Sequence, residues 1–125
     1  MTGLDEMLSN ANDAVPKVSA KEAHQLLGGV DALLLDVRDP PELLGSGKLK
    51  GALNVSRGML EFRADPQAIS YDPEFRRDRP IILYCASGGR SALAGKTLQE
   101  MGYNQVYNLG GFKEAVDSSF PTEPA

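Results

Sequence analysis

Residues 80–103 read PIILYCASGGRSALAGKTLQEMGY, and this stretch decides the fold. An unbroken apolar run ends at Cys85, a glycine pair follows at Gly88-Gly89, and a helical pattern begins at once. A short continuous apolar run reads as a strand covered on both faces. Beyond it, Ser91, Ala94, Gly95, Leu98 and Met101 recur at three- and four-residue spacing. Such a small-then-large stripe suits a helix lying against a sheet, and Gly102 supplies its left-handed stop. Strand, tight loop and helix make half of a crossover unit, the building block of parallel sheets.

The same pattern repeats outward from this core. ALLLDV (residues 32–37) is a second continuous apolar strand, closed by Asp36; GALNVS (51–56) is a third and QVYNLGG (105–111) a fourth. AVPKVS (14–19) reads as a strand at a sheet edge, where Pro16 is tolerated. Ser19 and Glu22 have capping-box spacing, and open a helix in which Ala23, Leu26 and Leu27 share a face and Gly28-Gly29 makes the stop. DPPELLG (39–45) starts a short helix with its prolines in the first turn, and FKEAVDS (112–118) is a last one. Residues 57–78, charged and rich in turn formers, hold short helices or loops. The expectation is an α/β domain over residues 15–118, with a five-stranded, mainly parallel sheet flanked by helices on both faces. Residues 1–14 form an N-terminal arm or short helix, and residues 119–125 a frayed tail.

At 125 residues the chain makes one domain, which buries about two thirds of its unfolded surface. Its 24% of charged residues are of mixed sign and sum to a net charge of −4, so no nucleic-acid footprint is present. No apolar run reaches membrane-spanning length, and MTGLDEMLSN lacks the basic and apolar regions of a secretion signal. A cytoplasmic location is expected. With one cysteine there is no internal disulfide and no C-x-x-C pair, and with one histidine a protein-built zinc site is not expected. No cofactor is called for. His24 has no other candidate ligand near it in sequence and reads as structural.

The chemistry concentrates at the lone cysteine. Ligands of open parallel sheets bind beyond the carboxyl ends of the strands, and Cys85 ends one such strand. Only Ala86, Ser87, Gly88, Gly89 and Arg90 follow before the helix is under way. A loop this short curls its N–H groups into a concavity, and the two glycines allow positive φ and close approach. Those dipoles, together with Arg90, lower a thiol pKa and hold an anion or a transferred sulfur atom. Cysteine-dependent phosphatases space the pair as C-x5-R; here it is C-x4-R, a tighter ring that suits one sulfur atom better than a phosphoryl group. Asp36 and Arg38 end a neighbouring strand on the same rim and are expected to fix its loops. Arg57 and Arg63 are candidates for the pocket mouth, and Ser91 either donates to the sulfur or caps the helix. Gly110 and Gly111 make the turn into the last helix.

These segments, in this order, resemble the rhodanese-like family in its single-domain form. LLLDVRDPPEL is similar to the family's strand ending in Asp-Val-Arg followed by an acidic, apolar pair. GKLKGALNVS resembles its Gly-His-Ile-Pro-Gly-Ala-x-Asn segment, with Lys48 and Lys50 standing where His and Pro are common. ILYCASGGRSALAGKTLQEMGYNQVYNLGGFKEA is similar to its active-site loop, helix and closing Gly-Gly turn. The resemblance implies a sulfurtransferase. Cys85 would take a sulfane sulfur from a small donor such as thiosulfate or a persulfide, and carry it as a persulfide cradled by Ala86 to Arg90. Cyanide or another thiophilic acceptor would then remove it. Two other readings stand beside this one: a carrier or regulatory module that accepts persulfide from a partner protein, and a cysteine-dependent phosphatase. Donor, acceptor and oligomeric state are not written in the sequence.

Overall fold

The computed structural model describes residues 2–125. The chain begins with two helices, α1 (Leu4–Ala14) and α2 (Ala20–Gly29), then β1 (Leu33–Asp36), α3 (Pro40–Ser46), β2 (Lys48–Leu49) and β3 (Leu53–Asn54). A 3-10 turn at Arg57–Met59 leads into α4 (Leu60–Ala64). There follow β4 (Ile81–Cys85), α5 (Gly89–Glu100), β5 (Val106–Gly111), α6 (Phe112–Asp117) and β6 (Thr122–Glu123).

Four strands form a parallel sheet in the order β3-β1-β4-β5, with β1 and β4, the two continuous apolar runs, in its centre. Successive strand residues face opposite sides. Leu33, Leu35, Ile81, Leu83 and Cys85 therefore share a buried cluster with Leu60, Phe75, Ala94 and Leu98 on one face. Leu34, Ile82 and Tyr84 meet Ala23, Leu49, Ala115 and Phe120 on the other. Cys85 thus belongs to the α5 side. The α5 stripe is as expected: Ser91, Ala94, Gly95 and Leu98 are buried, and Gly102 follows the helix at φ 96°. A Cβ on Gly95 would lie 3.0 Å from Val15, so a hydrogen there lets helix and chain entry pack closely. The capping box of α2 forms in both directions, Ser19 N–H to Glu22 at 2.9 Å and Glu22 N–H to the Ser19 hydroxyl at 3.1 Å.

Two expectations are corrected. The sheet has four strands, not five: residues 14–19 contribute a single parallel bridge, Lys17 opposite Asn108. Pro16 offers a carbonyl to Asn108 N–H (2.8 Å) but has no N–H of its own, and Ser19 opens α2 three residues later, so the ladder cannot lengthen. Of the two forms offered for residues 1–14, the helix is the one present: its Ala11 is buried and its last carbonyl, on Ala14, accepts from Gln99 Nε2 at 2.8 Å. The tail is pinned. Phe120 is buried and stacks on His24 with ring centroids 4.1 Å apart, and β6 pairs antiparallel with β2. One aromatic and a two-residue ladder outweigh a polar, proline-containing composition. His24, read as structural, is itself exposed and contributes that stack.

β4 and β5 run in register until Leu83 faces Asn108; the next pair is Tyr84 with Gly110, so Leu109 is an extra residue. This bulge lies beside the end of β4. Bulges re-aim side chains at the ends of pairing.

Candidate active site

β4 delivers Cys85 to the carboxyl end of the sheet, and the chain turns back over it at Gly88, whose φ is 100°. A side chain there would be strained, and its Cβ would lie 3.3 Å from Gly110 Cα. The turn aims Gly88 N–H at Cys85 Sγ, 3.0 Å away, and places the Ser91 hydroxyl 3.5 Å from the same sulfur. Cys85 is only 1% exposed. Burial by itself pushes the thiol up, but the Ser91 hydroxyl and the N–H groups of Ser91, Ser87 and Gly88 outweigh it, and the net shift is downward. The loop is closed from the side by Gly111, where any Cβ would sit 2.8 Å from the Ala86 carbonyl oxygen.

The predicted loop residues are thus brought together, with different parts to play. Ser87, Gly88 and Ser91 act through their amides, while Ala86 and Ser87 are exposed. Arg90 turns its guanidinium to α3, where it pairs with both oxygens of Glu42 at 2.8 and 2.9 Å. That pair holds the Glu42 carboxyl down at about 2, with further help from Asp39 N–H, and holds Arg90 firmly protonated. Arg90 is therefore a compensated charge beside the sulfur, not a free cation over it. Sequence reading missed Glu42; its only trace was the acidic, apolar pair after Asp-Val-Arg.

Ser91 does not cap α5. It lies in the helix's first turn, and its hydroxyl reaches back to the Gly88 carbonyl at 3.1 Å and to Asn108 Oδ1 at 2.7 Å. Asn108, absent from the sequence reading, is a second missed residue; its signal was a lone amide in an otherwise apolar strand. Asp36 and Arg38 form a buried ion pair, 2.8 Å at its shortest, and Arg38 also donates to Ser46 Oγ and the Gly47 carbonyl, both at 2.8 Å. They tie β1 to the end of α3. Arg57 is engaged by Glu61 and Thr97 at 3.0 Å each, and Arg63 by Asp72 at 3.5 Å; neither bonds to the loop. Lys48 donates to the Ala52 carbonyl and pairs with Glu123, so it serves the β2-β6 contact. A cleft of about 570 Å³ runs along the outer edge of the loop past Ser87, Gly88, Gly89 and Asn108; Cys85 is not among the residues that line it.

A four-stranded parallel sheet whose central strand ends in a cysteine under converging amides defines a class, and the comparisons agree with it. The family model described as Rhodanese-like domain matches residues 19–118, and the chain belongs to that family. It is 40% identical over 84 residues to the uncharacterized protein YqhL of Bacillus subtilis (strain 168), a match over 66% of this chain. The chain spans 60% of that relative's length. Among solved structures, it resembles a protein of unknown function from Rhodopseudomonas palustris CGA009, described as a possible tyrosine phosphatase. That match has 40% identity and a TM-score of 0.90, covering 98% of this chain and 96% of that one. The polysulfide-sulfur transferase homodimer of Wolinella succinogenes is 33% identical with a TM-score of 0.75, covering 94% and 85%. The human single-domain sulfurtransferase TSTD1 is 25% identical with a TM-score of 0.71, covering 82% and 96%. No helix among the described residues is long and apolar enough to cross a membrane.

Proposed function

We propose that this chain is a sulfurtransferase working through a Cys85 persulfide. The Cys85 thiolate attacks the outer sulfur of thiosulfate or a similar donor, the donor's S–S bond breaks, and sulfite leaves with the electron pair. Cyanide or a thiolate acceptor then attacks the outer sulfur, and Cys85 departs as thiolate. The cycle needs no redox partner and no second cysteine. The observation that carries the reading is the 3.0 Å approach of Gly88 N–H to Sγ within a ring of amides that lowers the thiol pKa in spite of burial. Family membership and the sulfur-transferring neighbours support it. The fold also hosts, by the description of the neighbour from Rhodopseudomonas palustris, a possible phosphatase. Against that chemistry stand the C-x4-R ring and an arginine already held by Glu42.

Incubation with thiosulfate is expected to add the mass of one sulfur atom at Cys85, and cyanide to release it as thiocyanate. Cys85→Ala is expected to abolish both. Thiocyanate production no greater than that of Cys85→Ala would overturn the thiosulfate assignment. Loading from a protein persulfide donor in its place would make the chain a carrier module, and Cys85-dependent hydrolysis of an aryl phosphate would make it a phosphatase.

A further inference from the structure

Sulfur transfer as proposed draws on the amides of Ser87, Gly88 and Ser91 and leaves without a role a buried polar side chain beside them. Asn108 is 3% exposed, on β5, at the bulge that turns it toward the loop. Its orientation is fixed by backbone groups of unambiguous polarity. Oδ1 faces the N–H of Gly110 at 3.0 Å, and Nδ2 faces the carbonyl of Gly88 at 3.2 Å. A flipped amide would set donor against donor and acceptor against acceptor.

The consequence falls on Ser91. Its hydroxyl has one proton, and the nearest acceptor is Asn108 Oδ1 at 2.7 Å, against 3.1 Å to the Gly88 carbonyl and 3.5 Å to Cys85 Sγ. With that proton committed to Asn108, the face of Ser91 Oγ toward Cys85 is a lone pair. It accepts from the neutral thiol and gives nothing to a thiolate. Sulfur with a negative charge can gain the Ser91 proton only if the hydroxyl rotates away from Asn108.

We infer that Asn108 is a positioning residue which sets the direction of the Ser91 hydroxyl and so makes it a two-position donor for Cys85. While Cys85 is protonated, the chain runs from thiol to Ser91 to Asn108. When Cys85 is a thiolate, or a persulfide with charge on sulfur, the Ser91 proton turns to it and Asn108 keeps only Gly110. The step moves a hydrogen bond and transfers no proton or electron between residues. Asn108 thereby favours the resting thiol, and its loss removes that preference. The charged groups around the loop are Arg90, its partner Glu42 on α3, Asp39 just before α3, Glu114 from α6, whose carboxylate lies near Gly111, and Lys17, which stands opposite Asn108 and lines the same cleft. None of them bonds to Ser91 or Asn108.

The inference rests on Cys85 as the reacting thiol, but its test needs no sulfur donor, so it and sulfur transfer can fail separately. The pH midpoint of iodoacetamide alkylation is measured for the unaltered protein, Asn108→Ala, Ser91→Ala and the double variant, each checked for folding by circular dichroism. Asn108→Ala is expected to lower the midpoint by about half to one pH unit, the worth of one hydrogen bond. In the Ser91→Ala background the same change is expected to move it by much less. A rise, no shift, or an equal shift in both backgrounds would overturn the inference. If Asn108→Ala does not fold, Asn108→Asp carries the test with the opposite sign. A carboxylate accepts only, holds the Ser91 proton harder, and is expected to raise the midpoint by more with Ser91 present than without it. Equal rises in the two backgrounds would reduce Asn108 to packing and local charge.

Discussion

Two strand ends lie side by side on the rim of this sheet, each followed by an arginine, and they are built from opposite materials. At the end of β1 a pair of charged side chains does most of the work. Asp36 and Arg38 bury their charges in each other, and the remaining donors of Arg38 go to Ser46 and Gly47. At the end of β4 the main chain does the work: amides turn in on a sulfur, and Arg90 is held aside by Glu42. A group whose polar capacity is spent on its neighbours holds the rim rigid. A loop whose N–H groups point at an uncharged thiol has capacity left for the charge that appears when the thiol ionises. Strand-end position alone therefore does not separate the two ends; where the backbone donors are aimed does.

The largest expected effect attacks the β1 end. Arg38→Ala strands a buried carboxylate, which costs about 3–5 kcal/mol and is read from the urea midpoint. The alkylation midpoint of Cys85 in the folded variant is expected to stay where it was. Should that midpoint move as far as it does when the β4 loop is altered, the two ends are not separate devices.

The division was half legible in the sequence. Cys85, the glycine pair and the α5 stripe lie within 17 residues (85–101) and follow local periodicity, so spacing alone placed them. Glu42 meets Arg90 across 48 positions and Asn108 meets Ser91 across 17. Pairings of that kind depend on strand order and on a bulge, which no local pattern encodes. The ordered tail escaped for a related reason. Its hold is Phe120 on His24 and two residues of β6 against β2, contacts between parts remote along the chain. The missing fifth strand was legible in Pro16 and was overestimated all the same, since a proline in the run and a cap three residues on leave room for one bridge only.

A middle-sized effect is expected at the turn itself. Gly88→Ala puts a Cβ at φ 100° and 3.3 Å from Gly110, a strain of about 1–2 kcal/mol for the left-handed conformation. Relief requires the peptide to turn, which carries Gly88 N–H off the sulfur. The expected result is a modest loss of stability together with a rise in the alkylation midpoint, the reverse of Arg38→Ala. In the unaltered protein that midpoint is expected below the free-thiol value of about 8.5, because the thiol is pulled down. A stable Gly88→Ala with an unchanged midpoint would show that this amide does not hold the thiolate.

The smallest expected effect tests whether Arg90 belongs to the structure or to the sulfur. Glu42 and Arg90 are each about one third exposed, so solvent weakens their pairing, and Glu42→Gln is expected to cost less than about 1 kcal/mol at neutral pH. Its sign with pH follows from the direction of the shift. The Glu42 carboxyl titrates at about 2 in the folded chain, below its ordinary 4.5. Its contribution is therefore present above the ordinary value and is lost as pH falls through about 2. Urea midpoints of the two proteins should accordingly differ at neutral pH and draw together as the pH falls toward 2. Freed from Glu42, the Arg90 charge is no longer compensated, and the Cys85 alkylation midpoint is expected to drop. If stability falls but that midpoint holds still, Arg90 serves only to tie α3 to α5. On that outcome the reactivity proposed for Cys85 rests on the main chain and the Ser91 hydroxyl.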